Sequence, residues 1–155
     1  MAAMDARELE AYLHDRIPLS RAMAVAVVEA GPERVRLKAP LSPNINHRDT
    51  VFGGSAASLA TLAAWSLIHV RLHSEGLAGR IVIRRGITSY DRPMADEFTA
   101  TAISPDDESW AKLKAALARG RPGRLHATAT LECRGAKAGT LEGEFVVLPL
   151  EPAAS

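Results

Sequence analysis

Cysteine is almost missing from this chain. Cys133 stands alone among 155 residues, which excludes an internal disulfide and fits a reducing compartment. Net charge is nearly missing too. Nineteen Lys and Arg stand against 18 Asp and Glu, leaving +1, so no strong field is aimed at nucleic acid or an anionic membrane. The opening MAAMDARELEAYL lacks the basic start, apolar run and small-residue cleavage site of a secretory leader. No internal repeat is visible. These absences predict one cytoplasmic domain over residues 1–150, long enough for a single substantial core, with 151–155 as a disordered tail. The sharpest absence is local: from Thr50 to Val70 no residue carries a formal charge.

That uncharged stretch is what the remaining sequence is organised around. It leaves a polar loop, passes Gly53-Gly54 and becomes a run of Ala, Leu and Ser whose apolar residues fall all round the helical wheel. A helix of that kind is either wrapped by protein or spans a membrane, and its length is close to the ~20 residues a span needs. Ser55, Ser58, Thr61, Ser66 and His69 interrupt it and Ala outnumbers Leu, which favours a central helix, about Gly54 to His73, enclosed by protein. Before it, Asp5 caps a predicted helix with Leu9, Tyr12, Leu13 and Ile17 as its buried stripe, and Pro18 ends it. Met23–Glu29 and Glu33–Ala39 read as a hairpin around Gly31-Pro32. After it come a strand at Arg80–Tyr90 with a bulge expected at Gly86, a strand at Glu97–Ile103, and an amphipathic helix at Asp106–Arg119. Strands at Arg124–Cys133 and Leu141–Leu148 close the chain. Strands grouped around one apolar helix suggest an α+β domain, an antiparallel sheet of about six strands curled around that helix.

This order and these lengths resemble the hotdog fold of acyl-thioester enzymes, from about Ile17 to Pro149. The sharpest likeness is NINHRDTVFGGS, Asn44–Ser55. Hotdog thioesterases of the phenylacetyl-CoA type carry an Asn, six residues later His-Gly-Gly, and an Asp seven residues past the second Gly. Asn46, Gly53 and Gly54 match; Phe52 stands where the His would be and Thr61 where the Asp would be. SYDRP, Ser89–Pro93, looks like the end of the family's third strand. Loop and helix together are more similar to a narrower group, the thioesterase domain of the YiiD C-terminal type. Members of that group have been associated with decarboxylating malonyl-ACP to acetyl-ACP, which primes fatty-acid synthesis. The resemblance implies a homodimer or larger assembly with the thioester site between subunits. It also implies no cofactor beyond the phosphopantetheine that the substrate carries from acyl carrier protein or coenzyme A.

The missing helix carboxylate is the departure with chemical weight. It removes the usual base or nucleophile of hydrolysis and leaves Gly53 and Gly54 at a helix N-terminus, where bare N–H groups approach a thioester oxygen and the dipole favours negative charge. Decarboxylating a malonyl thioester needs such donors and no base. Asn46 is a candidate to orient the substrate by its amide, with a turn residue as the plain alternative; Thr50 is either a site residue or a helix cap. Thr50, Ser55, Ser58 or Thr61 can hold the water that protonates the enolate. His47 and Phe52 are candidate substrate contacts, and His47 and Asp49 the replacement bases if the reaction is hydrolysis. Arg119 and Arg121, with Lys112, Lys114 and Arg124, offer a landing patch for acidic carrier protein or coenzyme A phosphates. His69 and His73 are four apart, a metal-binding spacing, but no third ligand stands out and no metal is expected. The alternatives to a decarboxylase are a hydrolase of acyl-CoA or acyl-ACP and a non-catalytic acyl-thioester-binding protein.

Overall fold

The structure is a computed structural model that describes residues 3–151; the tail expected to be disordered lies outside the described residues from 152 on. Helix α1, Ala6–Arg16, starts at a capping box between Asp5 and Glu8 and buries Leu9 and Leu13. Pro18 does not simply end it. Proline lacks the N–H that a first helical residue does not need, and Pro18 opens a second short helix, α2, Pro18–Ala22. That turn uses up the start of the strand expected at Met23–Glu29. Met23 caps α2, Ala24 takes φ +57, and strand β1 begins only at Ala26, running to Ala30. Strand β2 (Arg34–Ala39) completes the hairpin, and helix α3, Gly53–Ser74, is the single long helix the sequence predicts. Strands β3 (Arg80–Tyr90) and β4 (Phe98–Ile103), helix α4 (Asp107–Ala118), and strands β5 (Gly123–Cys133) and β6 (Ala136–Leu148) follow.

All six strands pair antiparallel in the order β1-β2-β4-β5-β6-β3, and α3 lies against β2, β4, β5, β6 and β3. This is the α+β hotdog arrangement. The alternation in β5 buries Leu125, Ala127, Ala129 and Leu131 against the helix, as its sequence demands; Cys133 is only half-buried. Ala56, Ala60, Ala63 and Ala64 of α3 are buried and let the sheet come close, while Phe98 and Phe145 fill the wider space. Each large side chain buried this way contributes about 1.5–3 kcal/mol. Strand β6 begins earlier than the sequence suggests. Arg134 and Gly135 both take positive φ, +51 and +75, the geometry of a tight two-residue hairpin, so Ala136 pairs at once with Cys133. The bulge expected at Gly86 falls instead between Ile83 and Arg85. Gly86 lies on the inner face, where a Cβ would stand 3.2 Å from Ile83 Cδ1.

One face of α3 is less covered than its all-round apolar pattern implies. Gly54, Ala57, Ser58, Thr61, Trp65 and His69 form a stripe of exposed or half-buried positions. Helix α1 covers its C-terminal half: Tyr12 stacks on His69 at 4.5 Å and His69 on Trp65 at 4.9 Å. The Trp65 indole N–H donates to the Ile81 carbonyl at 3.1 Å. Among the described residues, no helix is long and apolar enough to cross a membrane.

Candidate functional site

The loop before α3 is a miniature hairpin. Ile45 bridges Val51, and the Asn46 N–H donates to the Thr50 carbonyl at 2.8 Å. The Asn46 side chain is its internal strut. Nδ2 donates to Thr50 Oγ1 at 2.9 Å and to the Val51 carbonyl at 3.4 Å, and Oδ1 accepts the N–H groups of Arg48 at 2.8 Å and Thr50 at 3.2 Å. Both amide hydrogens are thus engaged inside the loop. At its base, buried Asn44 donates to the carbonyls of Met23 and Pro40, and its own carbonyl accepts the Phe52 N–H at 2.7 Å. The Val51 N–H donates to the Met94 carbonyl. These bonds set the point where α3 begins. His47, Arg48 and Asp49 form the exposed tip, with Asp49 at φ +61.

Thr50 is not the helix cap. The N-cap is Phe52, in extended conformation, and it supplies no side-chain bond. The first intrahelical bond runs from the Ala56 N–H to the Phe52 carbonyl, which leaves the N–H groups of Gly53, Gly54 and Ser55 without intrahelical partners. The glycines are flanked by two aromatic rings. Phe52 is 57% exposed and folds over Gly54, so a Cβ there would collide with its ring. Tyr90, 58% exposed at the end of β3, lies over Gly53, and its hydroxyl donates to the Gly53 carbonyl at 2.9 Å.

Two hollows lie along α3, one at its start and one beginning a turn further on. One, of about 340 Å³, is lined by Val51, Gly53, Tyr90, Asp91, Arg92 and Met94, among others. It places Asp91 and Arg92 beside Gly53, and sequence reasoning assigned neither; the available signal was SYDRP, read only as a strand end. The other, of about 350 Å³, follows the open stripe of α3 and is lined by Ile17, Leu19, Ser58, Thr61, Ile83 and Phe145, with Trp65 at its far end. Ser55, Ser58 and Thr61 therefore sit within two turns of Gly54 on or near one groove, while Asn46 and Thr50 bond to each other inside the loop and His47 sits at its tip.

Arg119 and Arg121 are elsewhere. They follow α4, just before Gly123. Gly123 is one end of β5, and Leu131, near the other end, lines the hollow beside Gly53. At ~3.3 Å per residue that separates the arginines from the glycines by roughly 26 Å of strand within one chain. No group of three or more His, Cys, Asp or Glu converges to hold a metal among the described residues. His69 lies in its aromatic stack, with burial, then His73, holding its pKa below the ordinary value of 6.5.

Comparison with known proteins agrees with this architecture. A thioesterase from Shewanella oneidensis, described as putative, is 27% identical, with TM-score 0.84 over 93% of this chain and 97% of its own. A Chlorobaculum tepidum protein of unknown function is 24% identical, with TM-score 0.87 over 97% and 100%. A Haemophilus influenzae thioesterase shares the fold at 12% identity, TM-score 0.76, over the whole of both chains. The family model described as "Putative thioesterase (yiiD_Cterm)" matches residues 6–149. A match that runs from the start of α1 past the end of β6 makes this chain a member of the YiiD C-terminal family of hotdog-fold, putative thioesterases.

Proposed function

We propose that this acyl-thioester enzyme decarboxylates malonyl-ACP, and malonyl-CoA by the same chemistry, to the acetyl thioester that primes fatty-acid synthesis in the cytoplasm. The observation that carries the reading is the pairing of an uncapped helix start, Gly53-Gly54, with a groove along α3 that bears hydroxyls and no carboxylate. The bond between the malonyl carboxyl and the α-carbon breaks, CO2 leaves, and its electron pair moves into the thioester, placing negative charge on the carbonyl oxygen. Donors aimed at that oxygen stabilise the charge as it develops. A proton delivered to the α-carbon, by water held at Ser55, Ser58 or Thr61, completes the acetyl thioester. Arg92 at the rim of the adjoining hollow supplies positive charge for the incoming malonyl carboxylate. Asn46 acts through the loop that fixes the helix start. The phosphopantetheine arm is the substrate's own, and the enzyme needs no further cofactor.

Assembly belongs to the same reading. Strand β3 is a sheet edge of 11 residues on which Val82, Ile83, Ile87 and Tyr90 are exposed, the kind of edge that proteins cover. Two copies pairing antiparallel along β3 make a homodimer with one continuous sheet. The β5 start of one subunit then lies three strand spacings, roughly 14 Å, from the glycine end of the other. That geometry reunites Arg119 and Arg121 of one chain with the site of its partner as a carrier-protein or coenzyme A contact. Light scattering of the purified protein should give a dimer or larger, and a monomer at working concentration contradicts this part.

Asp91 supports a second reading, hydrolysis. It is the acidic residue that lines the hollow beside Gly53, and in this reading a water between it and a thioester carbonyl is the nucleophile. Product analysis separates the two. Malonyl-ACP should yield acetyl-ACP and CO2 faster than any acyl-CoA of a panel yields free thiol. Efficient thiol release with malonyl-ACP untouched makes the enzyme a hydrolase, and binding without turnover makes it an acyl-thioester-binding protein.

A further inference from the structure

We infer that Tyr90 is a positioning residue for the reaction: its hydroxyl, hydrogen-bonded to the Gly53 carbonyl, holds the peptide unit whose other end is the Gly54 N–H. This inference rests on the oxyanion role given above to the glycine pair. The Gly53 carbonyl and the Gly54 N–H belong to one planar trans peptide, so they point in opposite directions and move together. The N–H is one of those left without an intrahelical partner at the start of α3. Glycine on both sides gives this peptide little steric restraint of its own. Its carbonyl takes the next i→i+4 bond of α3, from the Ala57 N–H, and Tyr90 adds a second hold from outside the helix: its hydroxyl at 2.9 Å on the same carbonyl, with the hydroxyl oxygen 3.5 Å and ring carbons 3.6 Å from where a Gly53 Cβ would be.

Tyr90 itself is well anchored. It pairs with Gly139 at the end of β3, and the next two N–H groups, of Asp91 and Arg92, both donate to the Ala138 carbonyl, at 2.8 and 3.2 Å. A fixed strand thus braces the first peptide of the helix. The bond also acts electronically. An amide whose carbonyl accepts an additional hydrogen bond is more polarised, and its N–H becomes a stronger donor. Both effects are largest when the thioester oxygen is fully charged, so Tyr90 acts on turnover more than on binding. Phe52, on the other side of the pair, has no polar group to offer and only covers Gly54.

The test compares Tyr90→Phe, which keeps the ring and loses the hydroxyl, with wild type and with Tyr90→Leu. Turnover is measured on the thioester that wild type converts, malonyl-ACP first and a panel of acyl-CoAs second. Tyr90→Phe should lower kcat about tenfold, a fraction of the 10²–10³ that loss of a whole oxyanion donor costs, with KM changed by less than about twofold and thermal melting unchanged. Tyr90→Leu, without ring or hydroxyl, should be at least as slow. The second readout is the infrared carbonyl stretch of bound acetyl-CoA carrying ¹³C in its thioester carbonyl. A hydrogen-bonded carbonyl absorbs at lower frequency than in water, and Tyr90→Phe should recover part of that shift. Wild-type turnover with a shift that Tyr90→Phe leaves untouched, and equal kcat, overturns the role of Tyr90 and leaves the oxyanion site standing. Absence of both the shift and turnover in wild type overturns the oxyanion reading and this inference with it.

Discussion

The guanidinium of Arg71 lies 4.3 Å from the centroid of the Trp110 ring, where the last turns of α3 meet α4. Arg71 is 9% exposed, and its charge is met on several sides. It donates to Ser104 Oγ and to the Pro105 carbonyl, and it faces the carboxylates of Glu75 and Asp107 at 4.0 and 3.5 Å. Trp110 in turn donates its indole N–H to Glu75, which Lys114 also contacts.

This cluster should behave as a stabilising unit with no part in the chemistry. Arg71→Ala removes the stacked cation and leaves its partners unmatched. Breaking a fully buried pair costs 3–5 kcal/mol, and the exposure of Asp107 lowers the expected loss to about 2–3 kcal/mol. Arg71→Lys should recover less than half of it, because an ammonium lacks the flat face and the fork. Urea unfolding measures both, and a wild-type midpoint for Arg71→Ala contradicts the assignment.

Asn46 as a strut makes a different prediction from Asn46 as a substrate contact. Asn46→Ala deletes every bond the Asn46 side chain makes inside the loop and should cost about 1–2 kcal/mol. Asn46→Asp keeps the acceptor for the Arg48 and Thr50 N–H groups and should cost less than about 1 kcal/mol. Activity should follow the same order. If Asn46→Asp turns over malonyl-ACP more slowly than Asn46→Ala, the amide faces the substrate after all.

Restoring the helix carboxylate by Thr61→Asp places a charge in a groove otherwise lined mainly by Ile17, Leu19, Trp65, Ile83 and Phe145. Poor solvation should cost about 1–3 kcal/mol of stability. Repulsion of a malonyl carboxylate worth ~1.4 kcal/mol lowers decarboxylation about tenfold. Steady-state CO2 release measures the second effect, and unchanged release would place the malonyl group outside this groove.

His69 gives the stability a pH dependence. Burial, and then His73, lower its pKa in the folded state from the ordinary 6.5. The unfolded chain therefore takes up the proton first, and stability falls as pH drops through about 6.5 toward the folded value. His69→Phe keeps a ring between Tyr12 and Trp65 and removes this contribution. The difference in urea midpoint between pH values of about 7.5 and 5.5 should be smaller in the variant than in wild type; an equal difference assigns the dependence to other groups.

Much of this molecule was legible before its coordinates. Period-2 patterns located β2, β4 and β5, and the uncharged run located α3 almost to the residue, because burial against a core writes itself into residue type. Turns that rest on backbone conformation were not legible. Ala24 and Arg134 adopt positive φ although neither residue type advertises it, so β1 was placed too early and β6 too late. At the candidate site, the Gly53-Gly54 pair was readable because it opens an uncharged helical run. Tyr90, Asp91 and Arg92 reach it only because β3 ends beside α3, a pairing between positions 37 or more residues apart. Arg119 and Arg121 show the same limit: their charge was visible, but their separation from the glycines along β5 within one chain was not.

The tight turn at Arg134-Gly135 bears on the order in which the molecule forms. Strands β5 and β6 close on each other across two residues, so their ladder grows from a short loop whose closure entropy is small. Strand β3 must find β6 from 49 residues away at Tyr90 and Gly139, and from 68 at Arg80 and Leu148. Such distant pairings come late in folding. The strand that delivers Tyr90 to Gly53 is thus among the last to dock, and the helix start remains loosely held until it does. Refolding chains should regain native-like strand content before they regain turnover.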